Sequence, residues 1–294
     1  MRQKWRELYA TAVAYLIDRF MSELPSLPDS WKAELSRLES VLVWTESFPE
    51  DYDFPMPVMV SHAADYANDE QKLRNYAQQV IAARLMHFTF VTSYKVNHLL
   101  KMYLDGFSSR NFYSMLFAAR SMIEVFAVVF DLFDHMKQNR GDHAERYLDR
   151  VISIDKALIN ATSGNRLDLL KEVVATAMPS KLRESSEDDM VTIQAKNIMT
   201  RIDRSSKKSS YTECRRDYDR LSEYVHPNIG QNAVLCWPSP KNEKWVRISR
   251  SSGYSLASAF RASILPTQQA AEAIMREVSS MGFPFGTPVS ARKP

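Results

Sequence analysis

Glycine is scarce in this chain: only 7 of the 294 residues are glycine, and none of the first 105 is. Average proteins contain roughly 7% glycine. Sandwiches, barrels and doubly wound sheets need glycine at tight turns and in phosphate-binding loops. Proline is absent from residue 58 to residue 178. A long segment without proline and almost without glycine is typical of uninterrupted helices, so the sequence predicts an all-α fold.

Cysteine is also scarce, and long apolar runs are missing. Cys214 and Cys236 are the only cysteines, which fits a reducing compartment better than a disulfide scaffold. The N-terminus lacks a signal-peptide core, so we predict a cytoplasmic protein. The most apolar window, residues 112–130, carries Arg120 and Glu124 near its centre. Because charges are costly at the centre of a bilayer, we expect no membrane span.

The common motifs of nucleotide binding and hydrolysis are absent. The chain contains no G-x-G-x-x-G, no Walker A loop, no H-E-x-x-H and no G-x-S-x-G. Its six histidines do not cluster with cysteines or carboxylates at metal-ligand spacing. We therefore expect neither a metal site nor a cofactor.

Charge is distributed unevenly along the chain. Residues 21–70 carry eleven acidic side chains and only two basic ones, although the whole chain has a net charge of +3. We predict an acidic, helical N-terminal extension over residues 1–67, followed by one helical domain over residues 68–294. The alternative for the acidic segment is an ordinary solvated surface.

Apolar residues recur at helical spacing through most of the chain. The predicted helices cover approximately residues 1–23, 31–44, 68–105, 107–137, 142–162, 165–178, 190–204, 211–225 and 254–281. Gly106 is expected to connect the first two long helices of the domain, and Ser205 to Ser210 to form a flexible basic connector. Two strand-like runs within residues 231–249 predict a small β-hairpin insertion.

One segment with a suggestive charge pattern is A-A-R-S-M-I-E. Its Arg120 and Glu124 lie four residues apart, on the same face of an apolar helix. An ion pair in such a place loses hydration, so other groups must satisfy it. Either the pair is buried and fixes the register of the helix, or it lines a groove for a polar ligand. The sequence leaves both interpretations open.

A second segment is Y-D-R-L-S-E-Y-V-H-P-N, which ends at Asn228. His226 precedes Pro227, a position that disfavours helical geometry, so the imidazole can turn back towards Arg220. A histidine beside an arginine at a helix C-terminus suits acid–base chemistry on a phosphate group. The alternative is that His226 is an ordinary capping residue.

Basic residues are concentrated just before and within this second segment. They favour a phosphate-bearing ligand such as RNA, although a solvated basic surface explains them equally well. The candidate RNA-binding residues are Arg204, Lys207, Lys208, Arg215 and Arg216.

The string R-L-S-E-Y-V-H resembles the Arg-x(4–6)-His signature of the HEPN superfamily, which comprises helical ribonucleases and nucleotide-binding proteins. Together with A-A-R-S-M-I-E on an earlier helix, the pattern is similar to an uncharacterised bacterial branch of HEPN-like proteins. The resemblance covers roughly residues 68–281.

This resemblance implies a HEPN-like helical bundle that forms a homodimer and brings two Arg/His pairs into one cleft. It implies a metal-independent endoribonuclease or toxin, of the kind used in phage defence, with RNA as substrate and a protein partner or antitoxin. Arg220 would stabilise the charged phosphate and His226 would transfer protons at the ribose 2′-hydroxyl. The supporting residues would be Arg120, Glu124, Glu223 and Asn228.

Two features depart from the family's pattern. Leu221 follows the arginine, where active members often carry a small polar residue, and five residues separate Arg220 from His226 instead of the commonest four. These departures favour the alternative function, which is a non-catalytic HEPN-like module that binds RNA, nucleotide or a protein partner.

Overall fold

A computed structural model of the chain describes residues 28–53, 69–139, 147–163, 197–225, 236–239, 241–248 and 256–280. This part of the chain is helical apart from one pair of short strands, which confirms the predicted all-α class. The described elements, in chain order, are α1 (Asp29–Glu46), α2 (Glu70–Ser108), α3 (Phe112–Gln138), α4 (Tyr147–Ser163), α5 (Ile198–Lys208), α6 (Cys214–Val225), β1 (Cys236–Ser239), β2 (Asn242–Ile248) and α7 (Leu256–Ser280). The helices predicted at residues 1–23 and 165–178 lie outside the described residues.

The two strands pair in antiparallel orientation. Cys236 lies opposite Ile248, and Trp237 lies opposite Arg247. The register shifts between Pro238 and Ser239. Proline has no backbone N–H to donate to a strand ladder, so an irregularity beside it is expected.

The sequence predicts that Gly106 connects α2 and α3. In the structure, Gly106 instead lies inside α2. The turn is made by Ser109–Asn111, where Arg110 adopts a left-handed φ of 55°. A Cβ atom on residue 106 would lie 2.9 Å from the carbonyl oxygen of Asn111 and 2.9 Å from Cβ of Ser114. Glycine is therefore required here by the close approach of the next helix, and not by a turn.

The flexible connector predicted at Ser205–Ser210 is wrong over its first four residues, because α5 continues to Lys208. Ser205 is fully buried, and its hydroxyl donates to the carbonyl oxygen of Arg201 at 2.9 Å. The helix begins after Asn197, whose side-chain oxygen accepts from the backbone N–H of Met199 at 2.9 Å. The prediction of a linker depended only on the serine- and lysine-rich composition of Ser205–Ser210.

The chain divides into two compact units. The first unit contains residues 1–47, 95–125 and 210–273, and the second contains residues 48–94, 126–209 and 274–294. In the first unit, Phe260 of α7 stacks on Trp31 with ring centroids 4.2 Å apart, and meets Phe107 edge-on at 5.6 Å. Aromatic pairs in these arrangements add to the apolar burial that holds the unit together.

Polar contacts attach α1 within the first unit. Arg37 forms two parallel hydrogen bonds to the carboxylate of Glu272, at 2.7 and 2.8 Å. Asn97 donates its amide to the hydroxyl of Thr45 at 2.9 Å, and both groups are buried. Bidentate arginine–carboxylate pairs are directional as well as strong, so they set the position of α1 on α7.

The second unit has its own apolar cluster, formed where α2 meets α4. Ala77, Val80 and Val151 are buried there. The guanidinium of Arg84 pairs with the carboxylate of Asp155, which is almost completely buried. An ion pair at this depth must be well satisfied, because each buried charge has lost its hydration.

No helix in the described ranges combines the length and the apolar composition that crossing a bilayer requires.

Candidate functional site

The two segments that stand out in the sequence meet in the first unit. Arg120 of α3 donates from Nε to the hydroxyl of Ser222 at 3.1 Å and from Nη2 to the hydroxyl of Tyr218 at 2.7 Å. Tyr218 donates its own proton to Oε1 of Glu124 at 3.0 Å. The same carboxylate oxygen lies 3.0 Å from Nη2 of Arg120. Four polar side chains therefore join α3 to α6, and we call them the α3–α6 polar network.

The α3–α6 polar network is only partly exposed to water. The side chain of Arg120 is 16% exposed, and its guanidinium carbon lies 5.0 Å from the ring centre of Tyr218. Burial and the negative charge of Glu124 raise the pKa of the Tyr218 hydroxyl, and they outweigh the opposite effect of Arg120. Tyr218 is thus a neutral hydroxyl that accepts from a cation and donates to an anion, which satisfies both partners.

Arg220, the predicted catalytic arginine, projects from α6 towards α7 in the same unit. Its Nη2 donates to the carbonyl oxygen of Ala262 at 3.0 Å. In a regular helix that carbonyl would accept from the backbone N–H of residue 266, but Pro266 has no N–H to donate. Arg220 therefore supplies a donor to a carbonyl that the proline leaves without its helical partner.

Asp217 holds the same nitrogen of Arg220 from within α6. Its Oδ1 lies 3.2 Å from Nη2 of Arg220, and its Oδ2 accepts the hydroxyl proton of Tyr211 at 2.9 Å. Asp217 is buried, whereas the side chain of Arg220 is 44% exposed. Burial and the charge of Asp217 raise the pKa of Tyr211 far above its ordinary value, so this hydroxyl remains a donor.

Sequence reasoning missed Asp217, Tyr211 and Pro266 as neighbours of Arg220. One signal was present, because Asp217 lies three residues before Arg220 and so shares its helix face. A second signal was the proline inside the helical pattern of α7. A proline within a helix leaves the carbonyl four residues earlier without its backbone N–H donor. Nothing in the sequence indicates that α6 supplies this donor.

His226 and Asn228, the other two predicted residues of this segment, lie outside the described residues. Helix α6 ends at Val225, directly before His226. Glu223 lies one turn after Arg220 on α6 and is exposed. Cys214, at the start of the same helix, is buried.

Two of the candidate RNA-binding residues, Arg204 and Lys208, are paired with carboxylates of α3 in the second unit. Arg204 donates from Nε to Oδ2 of Asp134 at 2.8 Å, and its Nη1 lies 3.2 Å from Oδ1 of Asp131. Lys208 lies 3.4 Å from the same oxygen of Asp134. Arg201, one turn earlier on α5, is buried and lies 3.7 Å from Asp131. We call these five residues the α3–α5 charge cluster.

The charge cluster changes the acidity of Asp134. Burial alone would raise the pKa of this carboxyl, but the hydrogen bonds and charges of Arg204 and Lys208 outweigh that effect and hold the pKa below its ordinary value. Asp134 is therefore ionised at neutral pH, and its charge is matched by the two cations.

The remaining candidate RNA-binding residues are Lys207, Arg215 and Arg216. On α6, Arg215 pairs with Asp219 at 2.8 Å. Arg216 pairs with Glu213, which directly precedes the same helix, at 2.7 Å. Lys207 is exposed on α5. Since α5 and α6 belong to different units, the five predicted residues do not fall within one unit.

Comparison with protein-family models, with curated proteins and with solved structures finds no match to this chain. In the described ranges, no three or more histidine, cysteine, aspartate or glutamate side chains lie close enough together to hold a metal ion.

Proposed function

We propose that the chain is a HEPN-type, metal-independent endoribonuclease or toxin that acts on RNA as a homodimer. The observation that supports this most is the α3–α6 polar network, in which Arg120 of one motif segment contacts Tyr218 and Ser222 of the other. Two segments linked only by resemblance in the sequence are thus adjacent in the folded unit. A cytoplasmic role in phage defence, with an antitoxin or other protein partner, belongs to the same proposal.

In the proposed reaction, Arg220 and His226 act on one phosphodiester of the RNA. The imidazole of His226 takes the proton of the ribose 2′-hydroxyl, and the 2′-oxygen forms a bond to phosphorus. The bond from phosphorus to the 5′-oxygen breaks, and that oxygen takes a proton from the protonated histidine of the second protomer. The products are a 2′,3′-cyclic phosphate and a free 5′-hydroxyl. Arg220 stabilises the extra negative charge of the pentacoordinate phosphate.

The other predicted residues have supporting roles in this proposal. Arg120 and Glu124 hold α6 against α3, and Glu223 and Asn228 flank the reacting groups along the chain. Lys207 is the most direct candidate for an RNA phosphate contact, because the other four basic residues already pair with carboxylates. Those four would have to exchange a carboxylate for a phosphate in order to bind RNA.

His226→Ala tests the proposal directly. Proton transfer by a positioned side chain contributes a rate factor on the order of 10²–10⁴, so we expect the variant to lose RNA cleavage by about that factor while its melting temperature is unchanged. His98→Ala is the matched control, because His98 is exposed on α2, and it should cleave like the parent. EDTA should leave the parent's activity unchanged.

The assay uses purified protein and end-labelled RNA of mixed sequence, with detection of 2′,3′-cyclic phosphate ends. If the parent cleaves no RNA and His226→Ala unfolds the protein, His226 is a structural cap and the ribonuclease proposal is wrong.

One observation favours the second candidate, a non-catalytic HEPN-like module that binds RNA, nucleotide or a protein partner. Nη2 of Arg220 is already engaged by Ala262 and Asp217. A module of this kind would bind RNA without cleaving it, and its affinity for RNA would fall with added salt, because phosphate contacts release counterions. An affinity that is independent of salt would point instead to a protein partner.

A further inference from the structure

Arg220 is fixed at one nitrogen by acceptors from two different helices. The carbonyl of Ala262 on α7 and the carboxylate of Asp217 on α6 both contact Nη2, at 3.0 and 3.2 Å. Among the described residues, Nε and Nη1 of Arg220 donate no hydrogen bond. We infer that Asp217 and Pro266 are positioning residues, which fix Nη2 and thereby present Nε and Nη1 of Arg220 to a phosphate group of the substrate. This inference rests on the proposed function.

Pro266 contributes by removing a backbone hydrogen bond of α7. A backbone carbonyl inside a helix normally accepts from the N–H four residues later, and proline abolishes that bond for Ala262. The carbonyl of Ala262 lies at a partly exposed position and has lost its helical donor, so a rotamer of Arg220 that donates to it is favoured over rotamers that do not. Pro266→Ala would supply a backbone N–H to the Ala262 carbonyl, and the contact of that carbonyl with Arg220 would become less favoured.

Asp217 contributes by being rigid. It is buried at the base of Arg220, and the hydroxyl of Tyr211 holds its other oxygen at 2.9 Å. A carboxylate held at both oxygens restricts the guanidinium more than a mobile surface carboxylate would. A positioned guanidinium stabilises developing charge without having to reorganise at the moment of reaction.

Two variants test the inference, with one control on the same helix. Pro266→Ala restores the helical N–H, and Asp217→Asn removes the charge while keeping the shape. Leu265→Ala is the control, since Leu265 neighbours Pro266 on α7 and its side chain is 49% exposed. Alanine favours helix much more than proline does, so Pro266→Ala should remain folded.

The first measurement is the NMR signal of the Arg220 Nε–Hε group in arginine-labelled protein, which is assigned by its disappearance in Arg220→Lys. The probe is an oligodeoxyuridylate, which carries phosphates but no 2′-hydroxyl and cannot be cleaved. We expect the signal to shift in a saturable way in the parent and in Leu265→Ala. In Pro266→Ala and Asp217→Asn the signal should broaden, and saturation should need at least several times more oligonucleotide.

The second measurement is steady-state cleavage of RNA. A positioning role predicts that Pro266→Ala and Asp217→Asn lower kcat by about tenfold or more and change KM little, because the arginine acts most strongly on the transition state. Leu265→Ala should leave both constants unchanged. Equal loss of kcat in the control would overturn the positioning role.

The two proposals fail in different ways. If the parent cleaves no RNA but the Arg220 signal still depends on Pro266 and Asp217, the ribonuclease proposal is wrong and the positioning inference stands. If the Arg220 signal and its titration are identical in the parent and both variants, the positioning inference is wrong, whatever the activity of the parent.

Discussion

Nε of Arg204 on α5 donates to Oδ2 of Asp134 on α3 at 2.8 Å, although seventy residues separate the two along the chain. Lys208 approaches the same oxygen, at 3.4 Å. Composition suggested that Ser205–Ser210 was a flexible connector, but Lys208 within it faces a carboxylate of α3. The α3–α5 charge cluster therefore holds α5 in place, and its contribution to stability can be measured.

Removing the charge of Asp134 should destabilise the protein. Asp134→Asn weakens hydrogen bonds to two cations that are partly withdrawn from water, and we expect a loss of about 1–3 kcal/mol of unfolding free energy. Urea unfolding followed by circular dichroism measures it. Asp219→Asn is the matched control, because Asp219 pairs with Arg215 on an exposed face of α6 and such pairs contribute about 0–1 kcal/mol. Equal losses in the two variants would show that the charge cluster does not hold α5.

The contribution of Asp134 should depend on pH in a defined direction. Its pKa in the folded protein is held below the ordinary value of 3.8, so the carboxylate favours folding fully above that value. The stabilisation should be lost as the pH falls from about 4 through the lower pKa of the folded state. Urea midpoints of the parent and Asp134→Asn, measured from pH 7 to pH 3, should converge at the acid end. A difference that stays constant over this range would contradict the assignment.

The contact between Arg220 and Ala262 should appear as a coupling between Arg220 and Pro266. In the parent, Arg220→Ala leaves the Ala262 carbonyl without its donor and should cost about 1 kcal/mol. In the Pro266→Ala background the backbone N–H replaces that donor, so the same change should cost less, and the remaining cost is the lost contact with Asp217. A double-mutant cycle in urea gives the difference. Additive effects would mean that the arginine and the proline do not share this carbonyl.

Tyr218 should be the most sensitive member of the α3–α6 polar network. Tyr218→Phe removes the hydroxyl that accepts from Arg120 and donates to Glu124, and leaves two charged groups less satisfied. We expect a loss of about 1–3 kcal/mol, the range for buried groups that lose a charged hydrogen-bond partner.

Tyr52→Phe is the control for that change. Within the described ranges, the hydroxyl of Tyr52 contacts a weak acceptor, the sulfur of Met86 at 3.2 Å, and the residue is partly exposed. We expect its loss to be below about 0.5 kcal/mol. A melting temperature lowered equally in both variants would assign the effect to the tyrosine rings and not to the network.

The sequence alone determined the helical class and the position of most described helices. Scarcity of glycine and proline, and apolar residues at helical spacing, are local properties, because helical hydrogen bonds and side-chain neighbours lie within four residues. For the same reason the pairing of Arg120 with Glu124, one helical turn apart, could be predicted. The spacing showed that the two charges share a face.

Only the tertiary structure decided which distant groups accept hydrogen bonds from Arg120, Arg220 and Arg204. The partners Tyr218 and Ser222 of Arg120, the carbonyl of Ala262 for Arg220, and Asp134 for Arg204 lie from 42 to 102 residues away along the chain. Which of many polar groups meets a given cation depends on how the helices pack, and helix periodicity carries no information about that choice. Arg204, which composition suggested for RNA binding, pairs with Asp131 and Asp134 for this physical reason: a charge largely withdrawn from water must be matched by a nearby opposite charge.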